Sequence, residues 1–351
     1  MGAGYRAVGW NAGKKRYDLV VALGALTSIA VFSVLSVAFD KSLTAETVVI
    51  RATAITAFAM LHVVLSIGPL ARLDARFLPL LYNRRHLGVA MFLVALVHGA
   101  FSLFQFHALG DADPLVSLVT TPISGGAAGF PFQPLGAAAL AILFLMAATS
   151  HDFWLANLTA PVWKALHMGV YLAYVLVVMH VALGALQDQR HPALLVVVAL
   201  GATWIVGIHL VAGWRERAAD CEIEPTGRDE LAGFVDVGMA SDIPDARAVI
   251  VTVAGERVAV FRDGERVFAL SNLCQHQNGP LGEGCVRDGL VTCPWHGYQY
   301  RPEDGQSPPP FHEKVPTFAV RVVDGRVWLD PRPRAAGTRV APATIAGGAA
   351  R

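Results

Sequence analysis

Charged residues are scarce in this chain of 351 residues. Lys, Arg, Asp and Glu make up 16% of the sequence, where about a quarter is usual for a soluble domain, and 54% of the residues are hydrophobic. This composition indicates a membrane protein. The formal net charge is +1, and no basic stretch is dense enough to indicate nucleic acid binding. There is also no glycine-rich strand–loop–helix motif for a dinucleotide.

The apolar residues are concentrated before Gly213. A helix needs about 20 apolar residues to cross a bilayer. Six segments meet that length, namely 17–39, 47–67, 87–106, 131–148, 162–186 and 193–213. The first is too long for the apolar core of a signal peptide, and we expect it to be retained. The sequence therefore predicts an all-α six-helix transmembrane bundle over residues 17–213, after an N-terminus at residues 1–16.

The charges between these segments predict the orientation of the bundle. One set of loops carries the basic residues Arg6, Lys14, Lys15, Arg16, Arg72, Arg76, Arg84, Arg85, Lys164, Arg215 and Arg217. The opposite loops carry Asp40, Asp111, Asp113 and Asp188, with Lys41 and Arg190 as cations. Because basic loops stay inside, we expect both termini to be cytoplasmic, in a bacterial-type inner (plasma) membrane.

Two short cysteine–histidine motifs follow the predicted bundle. They are Cys274-Gln-His276 and Cys293-Pro-Trp-His296. In a Rieske [2Fe–2S] centre two thiolates hold one iron and two imidazoles hold the other, whereas a zinc ion could use the same four side chains. The neighbouring stretches, Asn278-Gly-Pro-Leu281 and Gly297-Tyr-Gln-Tyr300, resemble the Rieske boxes of bacterial ferredoxins and of ring-hydroxylating dioxygenase components. This resemblance favours the cluster over zinc.

The sequence around these motifs predicts an all-β domain. Segments 248–253, 256–261 and 266–271 read as strands, and segments 318–323 and 326–329 read as a closing hairpin. We assign residues 214–231 to a linker and residues 232–332 to a Rieske domain. Residues 333–351 are rich in Ala, Gly and Pro, and we predict that they are disordered.

The cluster motifs also suggest a redox potential. High-potential Rieske proteins of the cytochrome bc type add a disulfide clamp and a serine hydrogen bond. By resemblance, Gly279 and Trp295 occupy the clamp positions here, and Tyr298 stands in place of the serine. We therefore predict a midpoint near the lower end of the Rieske range, which runs from roughly −150 to +300 mV. The two other cysteines, Cys221 and Cys285, are interpreted as ordinary small residues.

Histidines in the predicted helices suggest a second redox centre, because an ionisable residue in a membrane is costly without a function. His98 and His180 reach a similar depth in the outer half, while His86 and His167 lie near the cytoplasmic surface. Imidazole is a common axial ligand of haem iron, and separations of roughly 18–20 Å along the helices suit two haems stacked across a membrane. His62 and His209 are alternatives to His86. The spacings do not return to one helix face, so a tilt or a local bulge is required.

Several segments resemble the ferric reductase-like transmembrane domain, over about residues 47–213. They are Ile67-Gly-Pro-Leu-Ala-Arg72, Arg84-Arg-His-Leu-Gly88, Leu96-Val-His98, Trp163-Lys-Ala-Leu-His167 and Val178-Met-His180. The likeness is strongest to the haem-binding membrane subunit of bacterial periplasmic methionine sulfoxide reductase. It implies haem b held by His98, His167 and His180. His86 rests on its depth alone, and a flavin, known in relatives, has no motif here.

Together these features predict transmembrane electron transfer through a [2Fe–2S] cluster and one or two b-type haems. A cytoplasmic redox partner would exchange electrons at the imidazole edges of His276 and His296. The outer acceptor could be ferric iron, a quinone or a periplasmic reductase. A quinol-linked respiratory subunit, a membrane-bound redox sensor and an anchored ferredoxin are the alternatives.

Overall fold

A computed structural model describes residues 12–81, 83–120, 132–150, 154, 158, 160–188, 192–219, 231–276, 278–295, 297–309 and 311–345. The chain divides into two compact units. The helical unit comprises Ala12–Pro69 and Asn83–His209, and the β unit comprises Met1–Asn11, Leu70–Tyr82 and Leu210–Arg351. Each unit is described by itself.

Ten α-helices lie in the described part of the chain. They are α1 (Ala12–Phe39), α2 (Ala45–Leu73), α3 (Leu78–Leu81), α4 (Arg84–His107), α5 (Pro114–Thr120), α6 (Gln133–Ala148), α7 (Ala160–His167), α8 (Gly169–Leu183), α9 (Ala185–Asp188) and α10 (Pro192–Ala219). Many of their large apolar side chains are exposed, among them Leu23, Phe104 and Leu200. Such surfaces are typical of helices that face lipid.

Within the described residues, five helical segments are long and apolar enough to cross a membrane. They are Gly13–Phe39, Ala45–Leu73, Arg84–His107, Val162–Leu183 and Pro192–Arg217. The sixth predicted span corresponds to α6, which has only 16 residues, fewer than the roughly 20 that a bilayer requires. The prediction of an apolar helical region is confirmed, while the count of six spanning helices is not.

Two helix boundaries differ from the predicted ones. Met168 separates α7 from α8, and therefore lies between His167 and His180, although its φ and ψ of −64° and −18° are helical. The last helix continues to Ala219, into the predicted linker, because residues 214–219 contain neither Pro nor Gly to end it. Residues 220–230 lie outside the described residues.

The β unit contains eleven short strands among the described residues. They are β1 (Val235–Met239), β2 (Arg247–Val253), β3 (Glu256–Asp263), β4 (Arg266–Ser271), β5 (Cys285–Arg287), β6 (Leu290–Thr292), β7 (Gln299–Tyr300), β8 (Thr317–Phe318), β9 (Val320–Val323), β10 (Arg326–Leu329) and β11 (Ala343–Thr344). They form three antiparallel sheets with the orders β1-β10-β9, β11-β4-β3-β2 and β5-β6-β7, and β8 also pairs with β4. The predicted strands and the hairpin of β9 and β10 are confirmed.

Two apolar cores fill the β domain. The first packs β-branched residues such as Val258, Val260 and Val327 between the larger sheets. The second includes Phe261, Leu270 and Val291 together with Cys274 and Cys293. The cysteines of the predicted cluster motif therefore lie at the border of a packed core, where water is excluded.

The prediction of a disordered tail is wrong for residues 333–345. Strand β11 pairs with β4, and the backbone nitrogen of Arg334 donates to the carbonyl oxygen of Thr317 at 2.8 Å. The nitrogen of Ile345 donates to the carbonyl of Glu265 at 2.8 Å. An open sheet edge can bind an Ala-, Gly- and Pro-rich segment through its backbone alone, so composition is a poor guide here. Residues 346–351 lie outside the described residues.

A buried carboxylate holds the start of this segment. Asp330 is 1% exposed, and its Oδ1 accepts from the backbone nitrogen of Arg332 at 3.1 Å and from its Nε at 2.9 Å. Arg334 donates to Oδ2 at 3.2 Å. Burial alone would raise the pKa of Asp330, but the hydrogen bonds and charge of Arg332 outweigh it and lower that pKa below 3.8. The carboxylate therefore stabilises the fold fully above pH 3.8, and this stabilisation is lost as the pH falls through the lowered pKa.

We expect Asp330→Asn to destabilise the β domain by about 1–3 kcal/mol, because the buried side chain loses the negative charge that strengthens its hydrogen bonds with Arg332 and Arg334. Native-state hydrogen exchange at neutral pH, read on amides of β9 and β10, measures this change. Asp324→Asn is the matched control, since Asp324 is exposed in the turn of the same hairpin. Equal effects of the two substitutions would contradict the role given to Asp330.

Candidate functional site

Two loops of the β domain present the motif cysteines, and they are built alike. In the first loop the Cys274 nitrogen donates to the Gly279 carbonyl at 2.9 Å, and the Asn278 nitrogen donates to the Cys274 carbonyl at 2.7 Å. In the second loop the Cys293 nitrogen donates to Tyr298 at 2.7 Å, and the Gly297 nitrogen donates to Cys293 at 3.0 Å. The same backbone pattern thus places each cysteine at the start of a tight turn.

The two loops approach closely at Gly279. A Cβ atom at this position would lie 2.8 Å from the Cys293 sulfur and 3.2 Å from the Trp295 ring. Only glycine avoids this collision, so Gly279 allows the second cysteine to reach the first loop. The positions expected for a disulfide clamp, Gly279 and Trp295, are thus neighbours in space. The indole of Trp295 packs against Gly279 where the clamp would lie.

Tyr300 contacts the first cysteine, a role that the sequence did not predict. Its hydroxyl lies 3.2 Å from the Cys274 sulfur and accepts a hydrogen bond from the Gln275 nitrogen at 3.1 Å. Burial, and secondly the neighbouring Cys274 charge, raise the pKa of Tyr300 far above its usual value of 10.0. The phenol therefore stays protonated, and its hydroxyl can donate a hydrogen bond to the Cys274 sulfur. Only the fold brings β7 beside the first loop, so spacing alone gives no signal for this contact.

His276 stacks on Tyr298, with ring centroids 4.0 Å apart and an angle of 12° between the planes. The Tyr298 hydroxyl lies 3.4 Å from Oε1 of Glu313, which fixes the tyrosine under the imidazole. The fourth predicted ligand, His296, lies outside the described residues.

This donor set fits a Rieske cluster. Cys274 and Cys293 are buried, at 1% and 2% exposure, and come from two loops that meet at Gly279. Sulfur donors in a dry pocket suit one iron, and an imidazole beside them suits the other. When bound, such a cluster takes up and releases one electron, while the protein sets its potential through hydrogen bonds to sulfur and through burial.

The helical unit brings His98 and His180 together. Their ring centroids are 6.3 Å apart, and the planes meet at 77°. Imidazole is a usual axial ligand of haem iron, so these two residues would hold a haem, which would supply one-electron transfer when bound.

Hydrogen bonds orient both rings of this pair. Nδ1 of His98 donates to the Ile50 carbonyl at 3.1 Å, and Nδ1 of His180 donates to the Phe132 carbonyl at 3.0 Å. This leaves Nε2 as the ligating atom, an arrangement usual for histidines that bind metals. A Cβ at Gly136 would lie 2.8 Å from Nδ1 of His180, so the absence of a side chain there makes room for the ring.

His86 and His167 are oriented in a similar manner. Nδ1 of His86 lies 2.8 Å from the Asp18 carboxylate, and Nδ1 of His167 donates to the Trp163 carbonyl at 3.0 Å. A cavity of about 400 Å³ is lined by Asp18 and His86, and also by Ser150, whose hydroxyl lies 3.4 Å from Nε2 of His167. Both histidines thus border one region of the helical unit.

The remaining described histidines are engaged in other ways. Nδ1 of His62 donates to the Phe58 carbonyl at 2.8 Å, and its Nε2 accepts from the Tyr174 hydroxyl at 3.0 Å. His107 uses both ring nitrogens, on Ser117 at 2.9 Å and on Gln133 at 2.8 Å. His209 bonds to its own helix at Ile205. These contacts make His62 and His107 poorer ligand candidates than His98 and His180.

Two family patterns match separate parts of the chain. The Rieske [2Fe-2S] domain matches residues 233–319, and the ferric reductase like transmembrane component matches residues 52–178. The two matches fall on the two regions where the sequence predicted these domains.

Similar proteins are ferredoxin components. The anthranilate 1,2-dioxygenase ferredoxin subunit of Burkholderia cepacia is 41% identical over 91 residues, which are 25% of this chain and 80% of that protein. The ferredoxin component of the alkene monooxygenase system of Xanthobacter autotrophicus is 28% identical over 110 residues, 31% of this chain and 90% of that protein. Among solved structures, the ferredoxin of carbazole 1,9a-dioxygenase from Nocardioides aromaticivorans is 26% identical, with a TM-score of 0.28 over 29% of this chain and all (100%) of that one.

We expect Tyr300→Phe to lower the midpoint potential of the cluster by roughly 20–65 mV, which corresponds to a hydrogen bond of about 0.5–1.5 kcal/mol in a one-electron couple. The sign follows because the hydroxyl stabilises the more negative, reduced cluster. Redox titration followed by EPR measures the shift.

Tyr298→Phe is the control for this experiment, because it removes a hydroxyl that lies on Glu313 and leaves the ring under His276. Equal shifts in the two variants would show that the contact between Tyr300 and the sulfur does not set the potential.

Proposed function

The chain belongs to the Rieske ferredoxin family through its C-terminal domain and carries a ferric reductase-like transmembrane domain. Because the two domains are joined in one chain, we propose that it conducts electrons across a membrane. The route runs between a cytoplasmic redox partner and the outer face, through a Rieske [2Fe–2S] cluster and b-type haem. The observation that carries this proposal is the pair His98 and His180, whose ring centroids lie 6.3 Å apart and whose Nδ1 atoms both donate to backbone carbonyls.

The soluble end of the route is the cluster of the β domain. Relatives of this domain are ferredoxin components of oxygenase systems, in which the ferredoxin is one protein of several. By the same chemistry, a redox protein would exchange electrons with this chain at the edge of His276, with His296 as the expected second imidazole. The cofactor performs the transfer, and the protein binds it, shields it from water and sets its potential.

The membrane end is the haem proposed at His98 and His180. The rings belong to α4 and α8, and each presents Nε2 because its Nδ1 is bonded to a backbone carbonyl. A second haem is proposed at His167, with His86 as the opposite ligand. The carboxylate of Asp18 supports this assignment, because a carboxylate that accepts from Nδ1 fixes the ring and increases its basicity.

The distribution of basic residues supports the sidedness. Arg72 lies in the last turn of α2, Arg84 and Arg85 begin α4, and Arg215 lies near the end of α10, after which the chain continues to the β domain. With the positive-inside rule, these ends and the β domain are cytoplasmic. We propose a multi-pass protein of the plasma membrane with six spans, in which α6 crosses the membrane as a short helix.

One observation supports the alternative of a quinol-linked subunit. The cavity beside His86 combines polar groups from Asp18, Arg85 and Ser150 with apolar walls that include Val89 and Leu93. Such a cavity also suits a quinone head group. If the chain holds a single haem, and quinone analogues shift its spectrum, the second site belongs to a quinone instead of a haem.

We expect the detergent-purified chain to show b-type haem bands in its reduced-minus-oxidised spectrum, together with a reduced Rieske EPR signal. His98→Ala and His180→Ala should each abolish the haem at this pair and leave the Rieske signal unchanged. His107→Ala is the matched control, because both nitrogens of that buried ring are bonded to protein side chains. A Rieske signal without any haem band would overturn the proposal in favour of an anchored ferredoxin.

We expect Asp18→Asn to weaken binding of the second haem by about 10–100-fold, the usual effect of removing an outer partner of a metal-ligating histidine. Haem content per chain, measured after mild dilution in detergent, tests this effect. Asp40→Asn is the control, since Asp40 follows the other end of α1 and its carboxylate accepts hydrogen bonds from Ser42. Unchanged haem content in Asp18→Asn would argue against His86 as a ligand.

A further inference from the structure

Four side chains of alternating charge form a continuous cluster within the β unit, here called the charge joint: Arg257, Glu216, Arg72 and Glu283. Nη1 of Arg257 lies 2.7 Å from Oε1 of Glu216, and Nε of Arg72 lies 3.1 Å from Oε2 of the same carboxylate. Nε of Arg72 is also 3.7 Å from Oε1 of Glu283. Each of the two inner residues, Glu216 and Arg72, therefore contacts two partners of opposite charge.

The four residues come from separate segments of the β unit. Arg72 lies in the last turn of α2, and Glu216 lies in the part of α10 that extends beyond the predicted span. These two helix ends are tied together, since Nη1 of Arg215 donates to the Leu73 carbonyl at 2.7 Å. Arg257 lies on β3, and Glu283 ends a short 3-10 helix, Leu281–Glu283. The joint thus links two helix ends to two elements of the Rieske domain.

A buried asparagine connects the joint to the cluster loop. The backbone nitrogen of Asn272 donates to the Arg257 carbonyl at 2.9 Å, and its Oδ1 accepts from the Gly282 nitrogen at 2.7 Å. Asn272 is 2% exposed and precedes Cys274 by two positions in the chain. Hydrogen bonds of Asn272 therefore connect the backbone of Arg257 and the 3-10 helix that ends at Glu283 with the start of the first cysteine loop.

We propose that the charge joint fixes the orientation of the Rieske domain on the ends of α2 and α10, and that ionic strength controls this docking. A covalent linker alone leaves a domain free to rotate, whereas contacts on two elements define its orientation. The charged side chains are 16–44% exposed, so solvent and salt screen them and the docking is reversible. This inference rests on the proposed function, because a fixed orientation serves electron exchange with the membrane domain.

Oriented EPR tests the joint directly. Membranes that contain the full chain are layered on a flat support, and the signal of the reduced cluster is recorded against the angle of the field. A docked domain gives a signal that depends on this angle, and a freely rotating domain does not. We expect the natural chain to show the dependence at about 0.15 M salt and to lose it at about 1 M, where the Debye length falls from about 8 to about 3 Å.

Substitutions distinguish loss of the charge joint from a general loss of stability of the Rieske domain. Glu216→Arg repels both of its partners and should abolish the angular dependence. The fourfold inversion Arg72→Glu, Glu216→Arg, Arg257→Glu and Glu283→Arg restores the alternation and should regain it. Asp236→Asn is the control, because it weakens a comparable ion pair between two strands of the same domain, Asp236 with Arg326 at 2.7 Å. This variant should keep the angular dependence of the EPR signal.

Three results would overturn the proposal: angular dependence that persists in Glu216→Arg, equal loss in Asp236→Asn, or a natural chain that is insensitive to salt. The comparison of low and high salt uses the natural chain alone. It therefore tests the proposal even if Glu216→Arg fails to fold. Only the cluster is observed, so absence of haem would contradict the proposed function without affecting this test.

Discussion

The redox chemistry of the β domain depends on a close approach that leaves no space for a side chain. Gly279 faces the sulfur of Cys293, and the two cysteine loops can meet there because they share one pattern of backbone hydrogen bonds. The packed core beneath them excludes water, and Tyr300 supplies a hydrogen bond from the side of the sheet. Geometry and potential are thus set by groups other than the ligands.

The helical unit uses a related solution with different atoms. A histidine ring in a membrane helix can rotate, and its two nitrogens compete for any metal. Carbonyls of Ile50 and Phe132 remove that ambiguity for His98 and His180, because each accepts from Nδ1 and leaves Nε2 available to a metal. These carbonyls belong to residues distant in sequence, so the orientation of each ligand depends on how the helices pack.

The sequence predicted the elements that have a strong local signal. The alternating strands, the hairpin closed by Asp324 and Gly325, and the paired spacing of Cys274 and Cys293 are local patterns, and the first two agree with the structure. Tyr300, Gly136 and Asp18 carried no signal, because their roles arise from contacts between elements far apart in the chain. The lengths of the short α6 and the long α10 were not predicted for another reason. Hydropathy identifies apolar residues but not the points where a helix begins and ends.

The ordered segment after Asp330 has a consequence for the stability of the β domain in isolation. Strand β4 has β3 on one side, and its other side is shared between β8 and β11. A fragment that ends at Asp330 would lack β11 and leave part of that side of β4 uncovered, and an uncovered edge is a template for strand addition from another molecule. Residues 331–345 therefore cover a strand edge at which two copies of the domain could otherwise pair.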